Sequence, residues 1–273
     1  MPGYENSEIK KDGKEVARME NGYTEKMQRI KEQFYADRGK WKWNDTWETI
    51  LHLNPDILSA YSTMSSVPHK KCYLDPKTKE LIYCAIDNAI THYYTPGFMS
   101  HLRHGMNDLG ATKEEMMEVF AITSTIGLPT YTVGIPMLVN ALKETGTDID
   151  AQELDEKQQA LKDRFVKENG YWREDLEQSL KLDPEMFEGF LDYVKAFEEH
   201  GVLDAKTKEL VYIAVNASPT AVNKEAMELH IRKALAVGAS KEEIIEVFEL
   251  VACLGVHSVT VGIPAINEVM SEQ

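Results

Sequence analysis

Apolar residues recur along the chain every three or four positions, which is the spacing of helices that bury one face. The first such run contains Met27, Ile30 and Phe34 and ends at Gly39, and Asn-Pro and Asp-Pro steps mark later helix starts. No stretch shows the sustained alternation of apolar and polar residues that is typical of a half-buried strand. The pattern therefore predicts an all-α protein.

The helical pattern occurs twice in the chain. Residues 74–83 read LDPKTKELIY and residues 203–212 read LDAKTKELVY, so the two runs differ at only two positions. Each run is followed by a His-x-Arg step, a Gly-Ala-[Thr/Ser]-Lys-Glu-Glu turn and a Val-Gly-Ile-Pro segment. We therefore predict a tandem duplication of a six-helix unit, with a polar arm at residues 1–23, a first repeat at 24–146 and a second repeat at 147–273.

The composition is that of a globular protein, with 43% hydrophobic and 27% charged residues. A net charge of -15 argues against nucleic acid or an anionic membrane as a partner, because a polyanion is repelled by such a surface. The N-terminus is too polar for a signal peptide, and Glu249 and His257 interrupt the longest apolar run, residues 247–266. We expect a cytoplasmic protein without a membrane span.

The cysteines point to the same compartment. Cys72, Cys84 and Cys253 are the only three, and no C-x-x-C occurs. This usage fits a reducing environment, and it excludes a disulfide framework and a cysteine-based zinc site.

A glutamate and a histidine occupy equivalent places in both copies. Glu80 and Glu209 lie at the start of the apolar third helix, and His101 and His230 lie on the fourth helix. Two helices joined by a tight connection pack antiparallel, which brings each histidine toward its glutamate. A buried carboxylate beside an imidazole can transfer protons near neutral pH. The alternative is a solvated glutamate and a structural histidine.

The first copy is the more polar of the two around this pair, so we expect the active centre there. His104 joins the catalytic candidates, and a metal site made from His92, His101 and His104 with Asp87 is an alternative. The polar residues that the first copy adds are Cys84, Asp87, His92 and His104, where the second copy has Ile213, Asn216, Ala221 and Lys233.

Four further residues are candidates for binding a substrate. Arg103 and Arg232 follow the two histidines, and a guanidinium can hold a carboxylate by a forked hydrogen bond. Salt bridges between subunits are an equally good role for these arginines. Tyr94, before the fourth helix of the first copy, and His257, at an expected helix start in the second, complete the set.

The order K-x-K-E-L, an alanine-rich helix, M-x-x-H-x-R-x-A and G-A-S-K-E-E-I-x-E-V resembles the carboxymuconolactone decarboxylase family. Its wider superfamily includes the alkylhydroperoxidase-type thiol enzymes. The resemblance covers Leu74 to Ala141 and Leu203 to Val269. It implies an all-α unit that buries its surface by forming a ring, so that a duplicated chain is expected as a homotrimer of fused pairs, a pseudo-hexamer.

The branch of the superfamily with thiol chemistry has C-x-x-C just before the histidine. Tyr94 and Gly97 stand there in the first copy, and Asn223 and Ala226 in the second, which excludes a disulfide-cycling peroxidase. The decarboxylase branch implies that Glu80 with His101, and Glu209 with His230, are its acid-base residues. Its usual Asn-His step after the fifth helix is missing from both copies.

The resemblance and the residues together predict a lyase, decarboxylase or isomerase that needs no cofactor or metal. Its substrate is expected to be a small carboxylated, ring-derived or lactone-type compound, as in the catabolism of aromatic compounds. Two alternatives remain open. The first is a non-catalytic oligomeric binding or scaffold protein, and the second is a metal-dependent enzyme that uses the histidine cluster.

Overall fold

A computed structural model describes residues 22–272 of the chain. This part is helical and contains no strand, which confirms the prediction of an all-α protein. The predicted arm at residues 1–23 lies outside the described residues except for its last two. The helices are α1 Glu25–Arg38, α2 Asp45–Leu53, α3 Pro55–Ser65, α4 Val67–Lys71, α5 Pro76–Asp87, α6 Thr95–Arg103, α7 Lys113–Ser124, α8 Leu128–Glu144, α9 Glu156–Asn169, α10 Glu174–Leu182, α11 Pro184–Glu199, α12 Ala205–Ala217, α13 Lys224–Ala236, α14 Lys241–Ala252 and α15 His257–Ser271.

The helices form two compact units. The terminal unit comprises residues 22–71 and 253–272, and the central unit comprises residues 72–252. These units follow packing and not the two repeats of the sequence, whose boundaries stay a prediction. Each unit nevertheless combines helices from both repeats, because α15 packs on α2 in the terminal unit and α8 packs on α10 in the central unit.

Local capping explains where the helices begin and end. The Thr24 side chain accepts a hydrogen bond from the Met27 amide and so caps α1, and Gly39 follows its last turn at a φ of 86°. Asn54 ends α2 and caps α3 through the Ile57 amide. The expectation of six helices per repeat missed the short α2, α4 and α10. For α2 and α10 the reason is that Asn54 and Asp183 each end one helix and cap the next.

The terminal unit has its own aromatic core. Phe34 on α1 is fully buried, and its ring packs edge-on against the ring of Trp43 at a centroid distance of 5.0 Å. The ring of Trp47 stacks on Tyr61. Aromatic rings bury large apolar areas, and these contacts form the core of the terminal unit.

The central unit is built around α5, α7, α12 and α14, which pack on one another. Two buried ion pairs join these helices across the repeats. Lys79 Nζ lies 2.6 Å from Glu246, and Lys208 Nζ lies 2.7 Å from Glu118. Each glutamate also accepts two backbone N–H groups: Glu246 from residues 73 and 74, and Glu118 from residues 202 and 203. The two repeats thus exchange equivalent contacts.

The two copies differ by one residue between the histidine and the following glycine. Gly110 follows His101 by nine residues, whereas Gly238 follows His230 by eight. The first copy accommodates the extra residue in a π-helical segment, His104–Asp108, directly after α6. The second copy continues as regular α-helix. A π-helical turn contains one residue more than the α-helical turn it replaces, which accounts for the one-residue difference between the copies.

Gly127 and Gly255, which follow α7 and α14, are not left-handed helix caps. Gly127 has a φ of -74°, within a single 3-10 turn that leads from α7 into α8. Gly255 lies in the equivalent turn before α15. Gly110 and Gly238, in contrast, have φ values of 71° and 92°, in the left-handed region that favours glycine.

Two helical stretches, Lys113–Glu144 and Lys241–Ser271, are long and apolar enough to cross a membrane by length and composition alone. Only 17% of the apolar window of the first stretch is buried. The apolar side chains of an oligomer interface produce the same signal. The expectation of no membrane span stays a prediction.

Candidate active site

Each copy joins its glutamate to its histidine. His101 Nδ1 lies 2.6 Å from Glu80 Oε2, and His230 Nδ1 lies 2.7 Å from Glu209 Oε2. The side chain of Glu80 is only 5% exposed and that of Glu209 only 16%, so neither is a solvated surface charge. A carboxylate accepts from Nδ1–H, which leaves Nε2 as the ring nitrogen available for proton exchange.

A tyrosine that the sequence interpretation missed completes both pairs. The ring of Tyr83 stacks on His101 at a centroid distance of 4.2 Å, and that of Tyr212 stacks on His230 at 4.1 Å. Both tyrosines come three residues after the glutamate on the same helix, so the repeated KELIY and KELVY runs contained the signal. The stacked ring and the carboxylate together hold each imidazole in one orientation.

A cavity of about 1360 Å³ opens beside the second histidine, within the central unit. Helices α8 to α13 all contribute to its walls. This volume accommodates a small organic molecule. The sequence favoured the first copy as the active centre, whereas this cavity favours the second. Aromatic and apolar side chains that line it are Tyr131, Phe165, Tyr171, Trp172, Phe187, Phe190, Leu191 and Tyr212.

Cationic side chains line the same cavity, but they differ in their availability. Arg173 makes a forked pair with Asp175 at 2.9 and 2.7 Å, and Arg232 pairs with Glu228 at 2.5 Å. Lys233 also lines the cavity, and among the described residues it forms no ion pair. Lys167 also lines the cavity without an ion pair among the described residues, but Lys233 lies on the same helix as His230, three residues after it. Lys233 is therefore the candidate cation for a carboxylate bound beside His230. It was noted in the sequence only as the residue that replaces His104.

The first copy places its additional polar residues in different surroundings. Cys84 is fully buried, and this burial, together with the nearby carboxylates of Glu80 and Asp87, raises the pKa of its thiol well above the usual range. A neutral, enclosed thiol is not a nucleophile. The absence of C-x-x-C and the burial of Cys84 agree in opposing thiol chemistry.

The histidines proposed as a metal site do not converge. His101 faces Glu80, while His104 Nδ1 lies 2.8 Å from Asp108. Among residues 22–272, neither joins His92 and Asp87 in one group of ligands. Burial lowers the pKa of His92 and so favours its neutral form. The geometry gives the proposed His92, His101 and His104 cluster no support.

The predicted substrate-binding residues have separate positions. Arg103 is exposed at the end of α6, and Arg232, whose side chain is 75% exposed, lies at the rim of the cavity. The Tyr94 amide donates to the Asp87 carbonyl and holds the turn before α6, as the Asn223 amide does with Asn216. His257 is the first residue of α15, in the terminal unit. Their substrate-binding roles stay predictions.

Comparison with known proteins places this geometry in a family. A model of the carboxymuconolactone decarboxylase family matches residues 184–270. A solved structure from Burkholderia xenovorans LB400, provisionally described as a gamma-carboxymuconolactone decarboxylase subunit, is similar with a TM-score of 0.83 and 35% identity, over 90% of this chain and 98% of that chain. The comparison with curated proteins gave no match. The chain therefore belongs to the carboxymuconolactone decarboxylase family.

Proposed function

We propose that this protein is a cofactor-independent lyase that removes carbon dioxide from a small, ring-derived or lactone-type carboxylate. The observation that carries the proposal is the Glu209–His230 pair beside a cavity of substrate size. The decarboxylase description of the Burkholderia protein supports the reaction class. The second copy is the proposed reaction centre, and a cytoplasmic location is proposed with it.

The chemistry requires a place for the electron pair that carbon dioxide leaves behind. A carbonyl group conjugated to the breaking bond can accept that pair as an enolate, provided that a donor stabilises its oxygen. His230 can exchange a proton through Nε2, because Nδ1 is held in a hydrogen bond with Glu209. Lys233 is suited to orient a second carboxylate of the compound, and aromatic side chains line the cavity around it.

Carbon dioxide release from muconolactone-type acids and β-keto acids tests the proposal. We expect His230→Ala to reduce kcat by about 100-fold or more, as for loss of an acid-base residue. His101→Ala reports on the first copy, and His200→Ala, an exposed residue at the end of α11, is the matched control. If none of these acids loses carbon dioxide, or if His230→Ala behaves as the parent does, the proposed function is wrong.

We also propose that the chain forms a homotrimer. The support is a set of exposed apolar side chains on α8, where Val133 is 59%, Met137 68% and Leu138 48% exposed. On α15, Val261, Val269 and Met270 are exposed in the same way. Large exposed apolar surfaces on a globular protein usually mark an interface. A further copy of this chain is the proposed partner.

A further inference from the structure

We propose that Glu198 is a second proton-transfer residue of the cavity, which delivers a proton to the substrate carbon while His230 serves the oxygen. The inference rests on the proposed function. Its starting observation is that Glu198, near the end of α11, lines the same cavity as His230 and Lys233 on α13. The sequence pattern did not single it out, because its place on the cavity depends on how α11 and α13 are arranged.

Glu198 differs from three other acids of α11, which form ion pairs. Glu188 lies 2.9 Å from Lys157, Asp192 lies 2.8 Å from Arg164, and Glu199 lies 3.4 Å from Lys195. Among the described residues, Glu198 makes no ion pair or hydrogen bond. A carboxyl group that lines a cavity without such a partner is free to interact with a bound compound.

The surroundings of Glu198 favour its protonated form. Glu198 is exposed overall, but the partial desolvation of its carboxyl group at the cavity wall raises its pKa, and the Glu209 carboxylate adds to this effect. The charges of Lys233 and His230 on α13, and of Lys208 on α12, oppose the rise without cancelling it. Glu198 still has contact with solvent because it faces the open cavity. It can therefore carry a proton and recover one from water after giving it away.

Decarboxylation needs a proton at a second position. When the bond between the carbon and its carboxylate breaks, carbon dioxide leaves and the electron pair enters the enolate. The enolate then collapses to the carbonyl, and its carbon takes a proton and forms the new C–H bond. A protonated Glu198 supplies that proton and becomes a carboxylate, which solvent protonates again. While His230 interacts with the enolate oxygen, it cannot also give a proton to the carbon.

Of the two copies, only the second has a carboxylic acid at the position of Glu198. The offset of 129 residues that aligns LNPDIL with LDPEMF places His69 opposite Glu198. Both copies retain the Glu–His pair, so the pair by itself does not distinguish them. Glu198 is thus a specific difference between the copies, and it lies beside the cavity.

The test measures carbon dioxide release against pH for the parent, Glu198→Gln, Glu198→Asp and the control Glu188→Gln. We expect Glu198→Gln to lower kcat by about 100-fold or more and to remove the loss of activity at high pH, where a required acid is deprotonated. Glu198→Asp should keep that loss with a reduced rate. Glu188→Gln should match the parent, because Glu188 does not line the cavity.

A stability measurement keeps the test independent of catalysis. A carboxyl group whose pKa is raised by folding destabilises the fold progressively as pH rises above its ordinary value of 4.5, and fully once pH exceeds the raised pKa. Glu198→Gln should therefore raise the Tm more at pH 8 than at pH 4. If the parent turns over no acid, the proposed function fails. If the parent is active and Glu198→Gln keeps its rate and pH profile, the role of Glu198 is overturned, as it is when the Tm gain does not depend on pH.

Discussion

At the scale of single residues, the three cysteines differ in ways that decide which chemistry is possible. Cys72 is exposed, whereas Cys84 and Cys253 are buried. A thiolate reacts only when it forms and when reagent can reach it, and the raised pKa and burial of Cys84 prevent both. The peroxidase chemistry of the wider superfamily is therefore closed to the residue nearest the Glu80–His101 pair.

We predict that a thiol reagent at pH 7 labels one cysteine of the native protein quickly, and labels all three after denaturation. The fast residue should be Cys72, so Cys72→Ser should abolish the fast phase. Mass spectrometry of the labelled peptides identifies the site. Rapid labelling of Cys84 in the native protein would contradict the buried position assigned to it.

At the scale of secondary-structure elements, the buried glutamates join helices from the two copies. The side chain of Glu246 is fully buried, and its partner Lys79 is only 6% exposed. Two backbone amides and one ammonium group share this carboxylate. Removal of one partner from a buried pair leaves an uncompensated charge, which is more costly than the pair is stabilising.

Glu246→Ala should lower the free energy of unfolding by about 3–5 kcal/mol, measured by urea denaturation. The control is Glu25→Ala, which removes the exposed pair with Arg29 and should change stability by less than about 0.5 kcal/mol. Equal losses for the two variants would show that Glu246 is not buried as described.

The capping boxes of α7 and α14 make the stability of these helices sensitive to acid. Burial tends to raise the pKa of Glu115, but hydrogen bonds with Lys77 and Thr112 outweigh it and hold the pKa below the ordinary 4.5. Burial also tends to raise the pKa of Glu243, and hydrogen bonds with Lys206 and Ser240 outweigh it and lower the pKa in the same way. The folded state therefore binds protons less readily than the unfolded state, and this stabilisation disappears as pH falls below about 4.5.

We expect the urea midpoint of the parent to fall as pH is lowered from 5 to 3. The double variant Glu115→Gln and Glu243→Gln should fall less steeply, because a neutral amide keeps the capping geometry and does not titrate. The starting midpoint of the variant should be lower than that of the parent. Parallel curves for the two proteins would exclude these glutamates as the cause.

At the scale of the whole molecule, the exposed apolar face of α8 gives the oligomer proposal its test. Analytical ultracentrifugation of the parent should yield the mass of three chains. Met137→Glu with Leu138→Glu should shift the mass to that of one chain, since charge in an apolar interface is costly. Val237→Glu, at an exposed apolar residue after α13, is the matched control and should leave the mass unchanged. A single-chain mass for the parent would overturn the proposal.

The sequence reveals contacts between residues that are close along the chain, whereas the structure is needed for contacts between distant ones. Helices and their caps were predictable, because Asp75 caps through the Thr78 amide, only three residues away. The Glu80–His101 pair was also predictable, since the short connection between two adjacent helices leaves few ways to arrange them. The internal repeat was visible because the same residue patterns occur twice in the sequence.

The sequence by itself therefore determined an all-α chain with a Glu–His pair in each copy and no thiol pair for redox chemistry. Only the tertiary structure decided that Tyr83 and Tyr212 stack on the histidines and that the described cavity opens beside His230. It also decided that Glu198 lines that cavity. These features depend on side chains far apart in the chain, whose distances are set by the packing of whole helices and not by any local pattern.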